Sequence, residues 1–97
     1  MEKNFYIMIH LKVKGELQII GRFSIGNNQS KAYTLFKKLK GNSAADGTEV
    51  LFMELTETLS GLPVNINMIA CTLDELSANC RTITKEIFKW NNMDLLH

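Results

Sequence analysis

The chain is poor in the residue types from which most active sites are built. Its histidines are His10 and His97 alone, and its cysteines Cys71 and Cys80. Nowhere do His, Cys and carboxylates fall at metal-ligand spacing such as H-x-x-x-H or C-x-x-C, so no sequence-local metal site is expected. No glycine-rich run has the form of a phosphate loop; Gly21, Gly26 and Gly41 read as a bulge, a turn and a helix cap. Nothing marks a nucleophile elbow or an oxyanion donor. Glu54 and Glu57 share a strand but point to opposite faces, so they form no acid/base pair. The expectation is a non-catalytic protein without a cofactor.

Long apolar runs are missing as well. No stretch approaches the roughly 18 residues that a membrane helix needs. The N-terminal MEKNFYIMIHLKVKG alternates apolar and polar residues, and it lacks both the continuous apolar region and the small-residue cleavage site of a secretory signal. A cytoplasmic protein is the expectation. Two cysteines build no disulfide framework. Cys71 precedes a helix and Cys80 lies two turns inside it, an awkward geometry for a bond. Two free buried thiols are expected; the sharper alternative is a reactive Cys71 whose pKa is lowered at the helix N-terminus.

What is present suffices for folding. With 97 residues, 45% apolar and 22% charged, the chain reads as one ordinary domain able to bury roughly 60–70% of its unfolded surface. The longest signal is TLDELSANCRTITKEIFKW, residues 72–90. Thr72 and Glu75 make a capping box, Asp74 and Glu75 suit the positive end of the dipole, and Lys85 and Lys89 suit the other. Leu76, Cys80, Ile83, Ile87 and Trp90 form an apolar stripe at helical period, extended backwards by Leu73. An earlier helix starts at an Asn28 N-cap, carries Ala32, Leu35, Phe36 and Leu39, and stops at Gly41 as its left-handed residue.

Four stretches alternate with period two. Residues 5–13 put Phe5, Ile7, Ile9 and Leu11 on one face and Tyr6, Met8 and His10 on the other. A three-residue loop Val13-Lys14-Gly15 would join them to residues 17–25, setting Leu11 opposite Leu17, Ile9 opposite Ile19, Ile7 opposite Gly21 and Phe5 opposite Phe23. Residues 50–59 and 62–71 form a second hairpin through a two-residue Ser60-Gly61 turn. It pairs Leu59 with Leu62, Leu55 with Ile66, Met53 with Met68 and Phe52 with Ile69. Pro63 lacks a donor and suits an edge strand.

The order is therefore ββαββα: a hairpin–helix unit at 4–41, a surface loop at 42–48, a second unit at 49–91 and a short tail at 92–97. Aligning the caps Asn28 and Thr72 superposes Ala32 on Leu76, Phe36 on Cys80 and Leu39 on Ile83. The expected fold is a pseudo-duplicated α+β two-layer sandwich, a four-stranded mainly antiparallel sheet with both helices on one face. The rival is a ubiquitin-like sheet with its first and last strands parallel at the centre. Strand order does not follow from the sequence.

Two surfaces carry functional expectations. The sheet face away from the helices holds Tyr6, Met8, His10, Ile20, Arg22, Phe52 and Ile69, too apolar in part for a solvated surface. That favours an interface with another protein, first of all a second copy of the chain. The plainer alternative is scattered apolar residues, or cover by the 92–97 tail. The second surface is basic: Lys31, Lys37, Lys38 and Lys40 gather on the first helix, with Lys12, Lys14 and Arg22 nearby in sequence. Residues 1–48 hold eight Lys/Arg against three acids, a net +5, and residues 49–97 three against seven, a net −4. Nucleic acid is the second candidate partner, although the order of elements is not that of an RRM and the pI is only about 7.8. A small ligand between sheet and helices is the third, given five methionines of adaptable packing.

The runs IGNNQSKAYTLFKKLKG and LPVNINMIACTLDELSANCRTITKEIFK resemble a group of short uncharacterised proteins from Bacteroidetes. The resemblance spans most of the chain. It implies a small cytoplasmic protein of unknown role, from mobile or accessory genes, and assigns no functional residue.

Overall fold

Both hairpins close through two-residue turns whose central residues have positive φ: Lys14 (52°) with Gly15 (82°), and Ser60 (53°) with Gly61 (83°). Turns of this hand match the twist of the strands they join. The structure, a computed structural model, describes residues 3–43 and 47–92. Its elements are β1 (Lys3–Val13), β2 (Glu16–Ser24), α1 (Gln29–Lys37), β3 (Leu51–Leu59), β4 (Leu62–Cys71) and α2 (Leu73–Asn92). The expected ββαββα order and α+β class are present.

The first turn is one residue shorter than the expected loop, and the register changes with it. Lys12 faces Leu17, Leu11 faces Gln18 and His10 faces Ile19. A bulge then inserts Ile20, so that Ile9 faces Gly21 and Ile7 faces Phe23. Without that extra residue the one-step slip would carry Phe23 off the core face. Gly21 fits at the bulge because an added Cβ would lie 3.2 Å from Ile9 Cδ1.

The second hairpin follows the expected register from Leu59–Leu62 to Thr56–Asn65 and then bulges at Ile66. Beyond it Leu55 faces Asn67, Met53 faces Ile69 and Phe52 faces Ala70. Ile69 is thereby moved from the open face, where it was expected, to the helix-facing side, where it packs against the core.

The sheet order is β2-β1-β3-β4, antiparallel throughout. That arrangement excludes the ubiquitin-like rival, which needs a parallel central pair. β1 and β3 pair without interruption from Lys3–Leu59 to Leu11–Leu51. Phe5, Ile7, Met53 and Leu55 consequently share one face, and Ala32, Leu35 and Phe36 of α1 and Ile83 of α2 cover it. The extents of 46 × 32 × 19 Å are those of two layers.

Each helix has the cap its sequence announces. Asn28 accepts from the Lys31 N–H at 3.0 Å. Thr72 and Glu75 exchange reciprocal bonds of 2.9 and 3.1 Å. Two expectations change here. Leu73 is 71% exposed, because α2 turns toward the sheet only from Leu76 onward. Gly41 is no left-handed cap, since it is absent from the positive-φ glycines; a Cβ there would sit 2.8 Å from the Ala70 carbonyl oxygen. The chain passes so close because Asn42 exchanges two backbone hydrogen bonds with Ala70, of 2.9 and 2.7 Å.

One of the two buried residues of α2 is polar. Asn79 is 1% exposed; its Oδ1 accepts from the Lys40 N–H at 2.7 Å and its Nδ2 donates to the Lys40 carbonyl at 2.8 Å. One side-chain amide thus satisfies both backbone groups of Lys40, three residues past the end of α1. Asn79→Ala would strand both groups and lower stability by about 2–3 kcal/mol. Asn79→Leu, which fills the space without bonding, should fall as far in urea unfolding. A midpoint unchanged in either variant would contradict this role.

Candidate functional site: the open sheet face

With the helices on one face, the registers map the other face row by row. Leu17 lies beside Lys12, and Lys12 beside Val50, whose carbonyl accepts from the Lys12 N–H at 2.8 Å. The next row runs Ile19–His10–Phe52–Ala70, with Ile20 inserted at the bulge. Below it come Arg22–Met8–Glu54–Met68 and Ser24–Tyr6–Thr56–Asn65. Of the seven residues expected here, Tyr6, Met8, His10, Ile20, Arg22 and Phe52 belong to these rows, and Ile69 does not.

The face is graded. Its central strands bury Phe52, His10, Glu54 and Thr56, although these point away from the helix layer. Its β2 margin and upper corner do the opposite: Leu17, Ile19, Ile20 and Val50 are 46%, 61%, 54% and 51% exposed. Arg22 lies 5.0 Å over the Tyr6 ring, a cation–π contact that fixes the lower part of the margin.

At the centre His10 Nε2 donates to Glu54 Oε1 at 3.0 Å, and Thr56 Oγ1 donates to the same oxygen at 3.5 Å. His10 Nδ1 is buried without a partner. A histidine–carboxylate pair can orient a general base, but here the free nitrogen is closed off from any reactant. The pair instead ties β1 to β3 diagonally. Sequence reading named His10 but missed its tie to Glu54, which needs the β1–β3 register.

The basic helix is less open than its sequence suggests. Lys38 Nζ meets Glu86 Oε1 at 2.8 Å, and Lys89 meets the other oxygen at 3.2 Å. The Lys38 and Lys89 hydrogen bonds hold the Glu86 carboxyl below its ordinary pKa, so whatever stability it adds is lost as pH falls through that lowered value. Lys31 sits 5.5 Å over the Trp90 ring. Lys37 and Lys40 are exposed.

Clefts among the described residues lie elsewhere. One of about 390 Å³ runs between the turn before α1 and the end of α2, with Lys31, Trp90 and Asn28 in its wall. One of about 340 Å³ is bordered by Cys71, Glu49 and Glu75. A third of about 180 Å³ lies among Tyr33, Phe36, Leu55 and Ile66. Among the described residues no group of three His, Cys, Asp or Glu could hold a metal ion. No described helix is long and apolar enough to cross a membrane.

Cys71 and Cys80 are free thiols; Cys71 is buried as expected, and Cys80 is half-buried. The surroundings of Cys71 work against the reactive alternative. Burial, reinforced by the Glu75 carboxylate, pushes its thiol up to about 11. Its Sγ–H points to the Lys40 carbonyl at 3.4 Å, so desolvation outweighs the helix N-terminus. Comparison with family models, with curated proteins and with solved structures finds no match.

In a Cys80→Ser background, Cys71 should alkylate at pH 8 about 100-fold more slowly than in the unfolded chain, following its smaller thiolate fraction. Because its pKa is raised on folding, the stability it contributes holds below about pH 9 and is lost as pH rises toward 11. Equal alkylation rates in folded and unfolded chains would refute this.

Proposed function

We propose that this chain is a non-catalytic protein–protein interaction module that works without a cofactor and associates with a second copy of itself through the open sheet face. The observation that carries the reading is the exposure of Leu17, Ile19, Ile20 and Val50, at 46–61%, on the face opposite the helices. On β2 they adjoin the exposed Arg22, beside half-buried Met8 and Tyr6 of β1. Exposed apolar residues gathered in this way characterise association surfaces more than solvated ones. The closed-off His10 nitrogen supports a non-catalytic role. Free Cys71 and Cys80 suit a reducing compartment, in line with the cytoplasm. The 93–97 part of the tail that could cover this face lies outside the described residues.

Nucleic-acid binding through the first helix draws less support. Lys38 is committed to Glu86, and Lys31 to Trp90. A small ligand has the cleft of about 390 Å³ beside Trp90, within the usual size range, though its wall is largely polar.

Sedimentation at tens of micromolar should show a dimer. Ile20→Glu should weaken it at least tenfold while leaving the far-UV circular dichroism unchanged. A wild-type chain that sediments as a clean monomer would end the reading.

A further inference from the structure

The two edges of the sheet are protected unequally. On β4, Pro63 offers no N–H, the strand bulges at Ile66, and Asn42 closes the ladder at Ala70 through two backbone hydrogen bonds. Each is a known way of blunting an edge. On β2 there is a bulge at Ile20 and a charge near each end, Glu16 and Arg22, but neither proline nor lysine interrupts its nine residues, and no backbone bridge closes its edge among the described residues.

The direction of the free backbone groups on β2 follows from the ladder. Lys12 N–H bonds to Val50, on the β3 side, whereas Phe5 bonds through both backbone groups to Ile25 and Gly26, on the β2 side. Alternation along β1 therefore turns Ile7, Ile9 and Leu11 toward β2. Their partners Phe23, Gly21 and Gln18 use their groups inward. Leu17, Ile19 and Arg22 are left to present N–H and C=O to the open edge, beside side chains that are themselves exposed.

We infer that β2 is the seam at which two copies join, its edge pairing antiparallel with the β2 edge of the second copy about a two-fold axis at Ile19–Ile20. The inference rests on the self-association proposed above and narrows it from the whole face to its β2 margin. The two sheets become one of eight strands. The two-fold brings Ile19 and Ile20 of each copy against their counterparts as cross-strand neighbours. It also sets the Glu16 end of each strand beside the Arg22 end of the other, so the charges complement on both sides of the axis. Such an isologous contact closes at two copies. Pairing of β2 with a β4 edge would propagate without end, and Pro63 and Asn42 obstruct it.

Three variants test the seam by sedimentation. Leu17→Pro removes one outward N–H near the strand start and should raise the dimer Kd at least tenfold. Ile19→Lys, at a position exposed enough to keep the fold, should do the same. Val64→Lys, at an exposed position of the opposite edge strand β4, should leave the Kd within twofold. Dimers that persist in both Leu17→Pro and Ile19→Lys overturn the seam, and loss in Val64→Lys alone would overturn it too, moving the contact to the β4 edge. A wild-type monomer would overturn the seam together with the self-association on which it rests.

Discussion

The antiparallel pairing of β1 with β3 is the constraint on which everything else depends. It joins two strands distant in sequence, so its loop-closure cost must be met by what the pairing assembles. Nine consecutive pairs without a slip, Lys3–Leu59 to Leu11–Leu51, place Ile7 beside Leu55 and Ile9 beside Met53. Those residues make one continuous apolar face, which is why both helices settle on the same side. The opposite parity gathers Tyr6, Met8, His10, Phe52, Glu54 and Thr56. A sheet of four strands with a single helix layer cannot cover both faces, and the His10–Glu54 bond is the polar tie across the uncovered one.

A second contact fixes how the helix layer is closed. Asn79 gives α2 one rotational setting, because its amide meets both backbone groups of Lys40 and also approaches Met53 Sδ and Cys71 Sγ, at 3.4 and 3.6 Å. An apolar residue at that depth would tolerate sliding; a bidentate amide does not. The same crossing explains Gly41, where close approach to β4 rather than backbone handedness calls for the missing side chain.

Element order, helix caps and the fold class were legible in the sequence because each has a local cause: period two, period near 3.6, capping boxes, glycine turns. The errors share a different origin. Whether Lys14-Gly15 closes in two residues or three is decided by Lys14 adopting positive φ, which composition does not announce. Ile20 and Ile66 look like ordinary strand residues, yet the bulge at Ile20 returns Phe23 to the core face after the shorter turn, and the bulge at Ile66 moves the residues beyond it, Ile69 among them, to the other face. Asn79 gives no sign in the sequence of its burial, which its partner Lys40 across the fold explains. Lys38 and Cys71 likewise take their surroundings from distant partners, Glu86 and Lys40.

The paired bulges have a consequence for how the chain can vary. Each sits on the outer strand of its hairpin, between the turn and the residues that enter the core, while the inner strands run unbroken. A bulge there acts as a slip joint. Changes of turn length or alignment at Lys14-Gly15 or Ser60-Gly61 can be absorbed at Ile20 or Ile66 before they reach Phe23 or Ile69. The turn-proximal halves of β2 and β4 are thereby released from the register that the core demands, and the helix-bound halves are not. The exposed part of the molecule and its packed part can be remodelled separately, although they are drawn from the same strands.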